Sequence, residues 1–538
     1  MLLIDTKISY YSLIKLSDSF SKIHQNFTIN TFVLNRMLHQ FLKNQFVFIC
    51  SICTAICIVV YGYLKNDQLT EISSSLMSIV SYNFGWLYVL SVFGFIVFLI
   101  ILAFCSYGNI KLGKDEDKPQ YNNFTWFSML FCGATGIGLV FWSIAEPLSH
   151  YVAPPQGIQG GSVNAAEFSM RTCFLHWGIT QFACFTVVGL GLAYFQFRKG
   201  RTSLISNLLE PIIGQKYVNG YIGKFIDVFS VIVTFAGVAT SLGLGVSQIC
   251  VGLDYLFKVP TNNNPIFLII CAITVIFIIS AISGVKKGIK YLSTLNTVLA
   301  LLLLLLAFVI GPKVSILNTL VSSTGQHIEF FFSDVTMMSS FGDNSWIMNW
   351  RVFYYAWFIA WCPFVGMFIV HISKGRTVRE FILGALIAPT IFTIIWLSEF
   401  GTIALSITNQ WELNEIARLV SHPEKAVFIV FEQYPLSKIL SFLVLALLTL
   451  FFVTSADSAT FSLSVMTSNG KTQPRKLKKV IWGIIVATIA FLLLKVGSLK
   501  PLQTISIAAS LPFLFVSVVS NFWICRDNLV GKFFVKLD

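Results

Sequence analysis

The sequence predicts an all-α integral membrane protein built from twelve transmembrane helices. Of its 538 residues 56% are hydrophobic and only 11% charged, with a mean hydropathy of +0.77. Apolar stretches of the length a helix needs to cross a bilayer, about 20 residues, recur twelve times, too often for a signal peptide or a buried core helix. All 37 Lys and Arg residues fall between those stretches or at their margins.

In order, the spans cover 46–64, 84–106, 125–145, 173–195, 226–252, 265–284, 296–311, 351–371, 381–407, 437–457, 477–497 and 502–524. Span 1 carries Cys50, Cys53 and Cys57 on one face; without a nearby His or acid they read as small packing hydrophobes. Span 7 is short for a crossing and span 9 long. The organisation predicted is a cytoplasmic N-terminal segment over 1–45, a membrane domain over 46–524 and a short cytoplasmic tail over 525–538. Residues 1–45 lack the apolar core and cleavage site of a secretory signal. With margin residues counted in the adjoining loop, 27 Lys and Arg lie on the side holding both termini and 10 on the other. By the positive-inside rule both termini are cytoplasmic; the membrane expected is a bacterial-type inner membrane. The net charge of +13 is therefore a lipid and topology signal, not a nucleic-acid footprint.

Spans 3 and 8 carry helix-disrupting residues near their middles. Span 3 contains Ala134, Thr135, Gly136 and Gly138, and span 8 contains Pro363 and Gly366. Gly weakens helical backbone and Pro removes a hydrogen-bond donor. In hydrocarbon such breaks survive where protein or a wet cavity satisfies the freed groups. They lie five spans apart, so spans 3–7 and 8–12 form two units of opposite orientation. Interrupted helices at matching places in two inverted halves point to a transporter's midplane site. Glycines that simply let neighbouring helices approach are the bland alternative.

Aromatic residues accompany both sites. Trp357, Trp361, Phe364 and Phe368 form one stripe along span 8, and Trp177, Phe182 and Phe185 share about 140° of arc on span 4 at 100° per residue. Such a stripe packs helices in most cases, but facing ring surfaces also attract a desolvated ammonium by about 2 kcal/mol. Two acids, Glu399 and Asp457, fall inside spans and are functional candidates by default. The histidines are dispersed, no metal-ligand cluster, nucleophile elbow or phosphate loop stands out, and the chain does not read as an enzyme.

Residues 357–368 of span 8, continuing through Ile372-Ser373-Lys374-Gly375-Arg376-Thr377, closely resemble the signature of the betaine/carnitine/choline transporter family. Further similarity lies in Gly136-Ile137-Gly138 through Glu146-Pro147-Leu148, in His176-Trp177 and in Thr454-Ser455-Ala456-Asp457-Ser458. The resemblance implies a leucine-transporter-like fold and secondary active uptake of a small quaternary ammonium of the choline or glycine betaine class. It implies an aromatic box at Trp177, Phe182, Phe185 and Phe358, with Trp357 and Trp361 lining the same passage. Phe stands at three box positions where the family usually carries Trp or Tyr, and Phe is the poorer cation partner. A carrier of another small solute, or a receptor that kept the fold, is the alternative. The resemblance calls for no cofactor beyond a coupling ion, Na+ or H+. A sodium site is implied at Thr454 and Ser455 with the unwound backbone of Ala134 and Thr135, and Thr234 matches a second ligand position. The alternative for the hydroxyls is back-bonding within their own helix. Many family members are trimers, so a homotrimer is the assembly implied.

Overall fold

The computed structural model describes residues 45–260, 263–284, 288–496 and 509–519. Most of the N-terminal segment, the C-terminal tail and much of span 12 lie outside the described residues. Among those described, every regular element is helical, and extended backbone pairs only at one bridge, between Lys111 and Thr377.

Each of the twelve apolar segments carries helix among its described residues. Among the described residues eight helices are long and apolar enough to cross a membrane unaided, and Asn123–Ala134 with Gly136–Val152 forms a ninth, bent by 66°. Phe267–Ser283 and Ala509–Val519 are shorter apolar helices in spans 6 and 12, and Lys476–Val496 carries span 11. The protein is a multi-pass membrane protein, and this arrangement is consistent with twelve crossings.

The packing carries an internal symmetry. Span 3 packs on spans 5, 9 and 10; exchanging each number for its counterpart five spans away gives span 8 on spans 10, 4 and 5, and all three of those contacts occur. Span 6 against span 10 is matched by span 11 against span 5. The pairs 3 and 8, 5 and 10, and 6 and 11, which map onto themselves, also touch. Two five-helix repeats wrapped around each other produce this pattern, and an odd number of crossings sets them in opposite orientation.

The two predicted interruptions differ. Span 3 breaks at Thr135, because Gly136 takes a left-handed φ of +49°, which a helix cannot continue through. Gly138 is helical, inside Gly136–Val152, and does not belong to unwound backbone. Span 8 is not broken at Pro363: Phe353–Ile372 is continuous α-helix, preceded by a π-type turn over Ile347–Val352. Proline removes a single hydrogen bond, and here dense packing on spans 3, 4, 5 and 10 holds the helix in register. Gly366 serves close approach instead, since a Cβ there would sit 3.1 Å from the backbone nitrogen of Gly189 in span 4. Span 4 itself is interrupted, unexpectedly, at Gly178, between Val163–Trp177 and Ile179–Phe197.

The polar half of the span 8 signature clamps two loops together. Arg376 lies 3.8 Å from the centre of the Trp126 ring and donates to Asn123 Oδ1 and the Tyr121 carbonyl. Thr377 and Glu380 then form a reciprocal capping box that starts span 9.

Between spans 7 and 8 the helix Lys313–Glu329 covers the molecule, with His327 buried against Phe174 and Phe331. Burial, reinforced by the positive charge of Arg351, lowers its pKa from 6.5 to about 4. The unfolded chain therefore binds a proton between pH 6.5 and 4 that the folded chain refuses. Stability from this residue is complete above pH 6.5 and falls as pH drops through that window. Acidifying from pH 7 to 5 costs about 2 kcal/mol through this group. Thermal unfolding in detergent should show that loss in the parent chain, and His327→Phe should flatten it; an equal acid sensitivity in both would refute the assignment.

Candidate functional site

The break in span 3 opens toward the aromatic faces of spans 4 and 8. A cavity there is lined by Thr135, Gly138, Trp177, Gln181, Ser241, Trp357, Phe358 and Trp361. Its free space is about 10 Å³, near the minimum for one water, so the rings are closed on one another. Trp177 meets Trp357 and Phe358 edge to face with centroids 6.2 and 6.1 Å away, and Phe185 meets Phe358 and Trp361 at 6.2 and 6.5 Å. The six predicted residues thus form one connected set of rings, with Phe182 at its margin. Phe182 is set back, touching only Phe185 within the box, at 6.5 Å.

Gly138 is what lets Trp177 reach the cavity. A Cβ at that position would lie 2.8 Å from the indole's Cη2 atom. Among the lining residues the nitrogens of Trp357 and Trp361, the Thr135 hydroxyl and Gln181 Oε1 are buried without a partner, so hydrogen-bonding capacity is concentrated here.

Beneath the rings sits Glu146, fully buried. Its Oε2 accepts from Trp177 Nε1 at 2.5 Å and from the Tyr354 hydroxyl at 2.6 Å. Its Oε1 is bonded by His176 Nδ1 at 2.7 Å and His150 Nε2 at 3.2 Å. One carboxylate therefore fixes the orientation of the principal box indole and joins spans 3, 4 and 8. The donor atoms of Glu146, His150 and His176 lie within 4.8 Å of one another, a grouping the dispersed histidines of the sequence do not announce. Both carboxylate oxygens are already saturated by hydrogen-bond donors, which makes the cluster an anchoring hub. The i, i+4 spacing of Glu146 and His150 was a usable signal; the contacts to His176, Trp177 and Tyr354 were not legible locally.

Of the predicted cation ligands, Ser455 lies directly against the break. Ser455 Oγ is buried and unpartnered, directed at Gly136, where a Cβ would approach it to 2.6 Å. Ala134 offers its carbonyl to Gln181 Nε2 at 3.5 Å. Thr454 donates to the carbonyls of Leu450 and Phe451 in its own helix, which leaves its oxygen lone pairs available. The Thr234 hydroxyl is buried with no partner. Asp457 accepts from Ser280 and ties span 10 to span 6. Glu399 is buried on span 9 and is not among the cavity-lining residues.

Three relatives are similar over most of their length. A probable glycine betaine transporter of Desulfitobacterium hafniense is 41% identical, over 90% of this chain and 97% of its own. The glycine betaine transporter OpuD of Bacillus subtilis is 44% identical, over 85% of this chain and 89% of its own. An ectoine/hydroxyectoine transporter of Virgibacillus pantothenticus is 39% identical, over 88% and 94%. A solved Na+-coupled sialic acid symporter is similar at a TM-score of 0.47 and 12% identity, over 81% of this chain and 86% of that chain. Residues 46–528 match the family model described as BCCT, betaine/carnitine/choline family transporter. With its broken third span facing a ring-walled cavity, the chain is a transporter, not an enzyme, and it belongs to the betaine/carnitine/choline transporter family.

Proposed function

We propose that this chain imports a small quaternary-ammonium compound of the glycine betaine or choline class by alternating access. The carrying observation is the ring cluster of Trp177, Phe185, Trp357, Phe358 and Trp361 against the break in span 3. An ammonium without N–H donors cannot be held by acceptors, whereas desolvated ring faces attract it by about 2 kcal/mol each. The names of the relatives from Desulfitobacterium and Bacillus support the same substrate class. Because the cavity is closed to about one water, admitting a headgroup requires spans 3 and 8 to separate, with the break at Thr135 as the hinge.

Sodium is the preferred coupling ion and a proton the second. The Ser455, Thr454, Ala134 and Thr135 oxygens beside the break are the hard ligands such a cation takes. An oxygen contact to a charged group contributes about 1.5–3 kcal/mol. Ser455→Ala is therefore expected to raise the sodium concentration for half-maximal uptake about tenfold or more. A sodium dependence unchanged by that substitution would remove Ser455 from the site. We further propose one membrane domain over 46–524, both termini in the cytoplasm, an inner-membrane location and a homotrimer.

A carrier of a different compatible solute is the second reading. Phe at 182, 185 and 358 weakens the box for a full ammonium, and one relative is named for ectoine and hydroxyectoine. Proteoliposome uptake of labelled betaine, choline and ectoine, with and without an inward sodium gradient, tests both readings. Betaine or choline uptake supports the first, and ectoine alone the second. Substrate binding without uptake of any would indicate a receptor.

A further inference from the structure

Arg351 opens span 8 and is fully buried. Its Nη1 donates to the backbone carbonyl of Asp334, whereas Nε and Nη2 have no partner among the described residues. Those two nitrogens share one edge of the guanidinium, the edge whose parallel N–H groups match a carboxylate in bidentate fashion. Tyr355 follows four residues later, one turn along the same helical face. Its hydroxyl is likewise buried and unpartnered.

Neither neighbouring acid supplies an oxygen to this edge. The Asp334 carboxylate is engaged by Arg171 Nε at 3.0 Å, and Glu146 is saturated by its four donors. Trp346 lies against the guanidinium at 5.6 Å, with His150 at 5.1 Å from that ring, so an aromatic layer separates Arg351 from the Glu146 hub. Buried donors without acceptors are costly, more so when charged. A charged fork kept dry and without an acceptor is the arrangement of a group that meets its acceptor in a ligand.

We infer that the Nε/Nη2 edge of Arg351, with the Tyr355 hydroxyl, is a capture subsite for the carboxylate of an ammonium-carboxylate zwitterion. This rests on the proposed transport of quaternary ammonium compounds and narrows it to those bearing an acid. At 1.5 Å of rise per residue, Arg351 lies about 10 Å along the helix from Phe358. A zwitterion whose two charges flank one carbon cannot touch both at once. Capture at Arg351, on the outer end of span 8 in the proposed orientation, therefore precedes seating of the ammonium among the rings. Choline, which carries no carboxylate, gains nothing there.

The test is proteoliposome uptake of labelled betaine, with choline as substrate or as competitor, for the parent chain, Arg351→Gln, Arg351→Lys and Tyr355→Phe. Arg351→Gln should raise the betaine KM about tenfold or more, leave kcat within about twofold and leave the choline constant unchanged. Arg351→Lys keeps the charge but loses the fork and should remain impaired, and Tyr355→Phe should show an effect of about threefold. An unchanged betaine KM in Arg351→Gln, or an equal rise for choline, overturns the subsite. Where Arg351→Gln does not elute as a folded protein, parental constants in both other variants overturn it. A parent chain that carries neither compound defeats the transport reading itself, whereas parental uptake with indifferent variants defeats only the subsite.

Discussion

Trp177→Leu raises the KM for the ammonium substrate by about 30-fold or abolishes uptake, whereas Phe104→Leu leaves it near the parental value. The first change removes a ring face in contact with Trp357 and Phe358 at the cavity wall. A desolvated cation–ring contact is worth about 2 kcal/mol, which is the 30-fold. Phe104 is 74% exposed on span 2 and touches none of these rings, so its loss is a surface change. Trp361→Leu should behave like Trp177→Leu but more mildly, because the Trp361 indole nitrogen has no partner to lose. Uptake kinetics in proteoliposomes, with folded yield checked by gel filtration, decide it. Small and equal effects at Trp177, Trp361 and Phe104 would mean that the rings pack helices and hold no cation.

The contrast between what the residues announced and what they hid follows from range. Hydropathy, a property of about 20 consecutive residues, marked every helix that carries an apolar segment. The break at Thr135 was legible because a glycine cluster acts on its own backbone, and Gly136 takes the left-handed conformation that ends the helix. Pro363 was misleading for the converse reason. Its cost is local, and the surrounding spans, with Gly366 set against Gly189, outweigh it. Phe182 enters the box through the family resemblance, and on span 4 it lies at the far end of the arc, about 140° from Trp177 against about 80° for Phe185. Phe182 there touches only Phe185, whereas Phe185 also meets Phe358 and Trp361. Glu146 went unrecognised as a site residue because its partners lie as far away as Tyr354, 208 positions along the chain.

Glu146→Leu is expected to be the most damaging single change, because it strands buried donors and frees the box indole together. Trp177 Nε1, the Tyr354 hydroxyl and His176 Nδ1 would each lose their acceptor in fully buried surroundings. At about 1–3 kcal/mol for each stranded donor, the loss is about 3–9 kcal/mol, comparable to the whole stability of many domains. Glu146→Gln keeps one accepting oxygen and replaces the other with a donor, so it should cost about 1–3 kcal/mol and still fold. Thermal unfolding in detergent measures both, and a Glu146→Leu chain as stable as the parent would show that the carboxylate is no hub. Uptake by Glu146→Gln then separates support from recognition. If Glu146 acts by aiming Trp177, the Gln variant shows a raised KM with kcat nearly unchanged, and Trp177→Phe shows a comparable rise with Glu146 intact. The sign of the charge also matters. A carboxylate accepting from the indole nitrogen pushes electron density toward the ring that faces the cavity, in a site too dry to screen it. An acid hidden behind the aromatic wall thus strengthens the attraction of that wall for a cation while being unable to contact the cation itself.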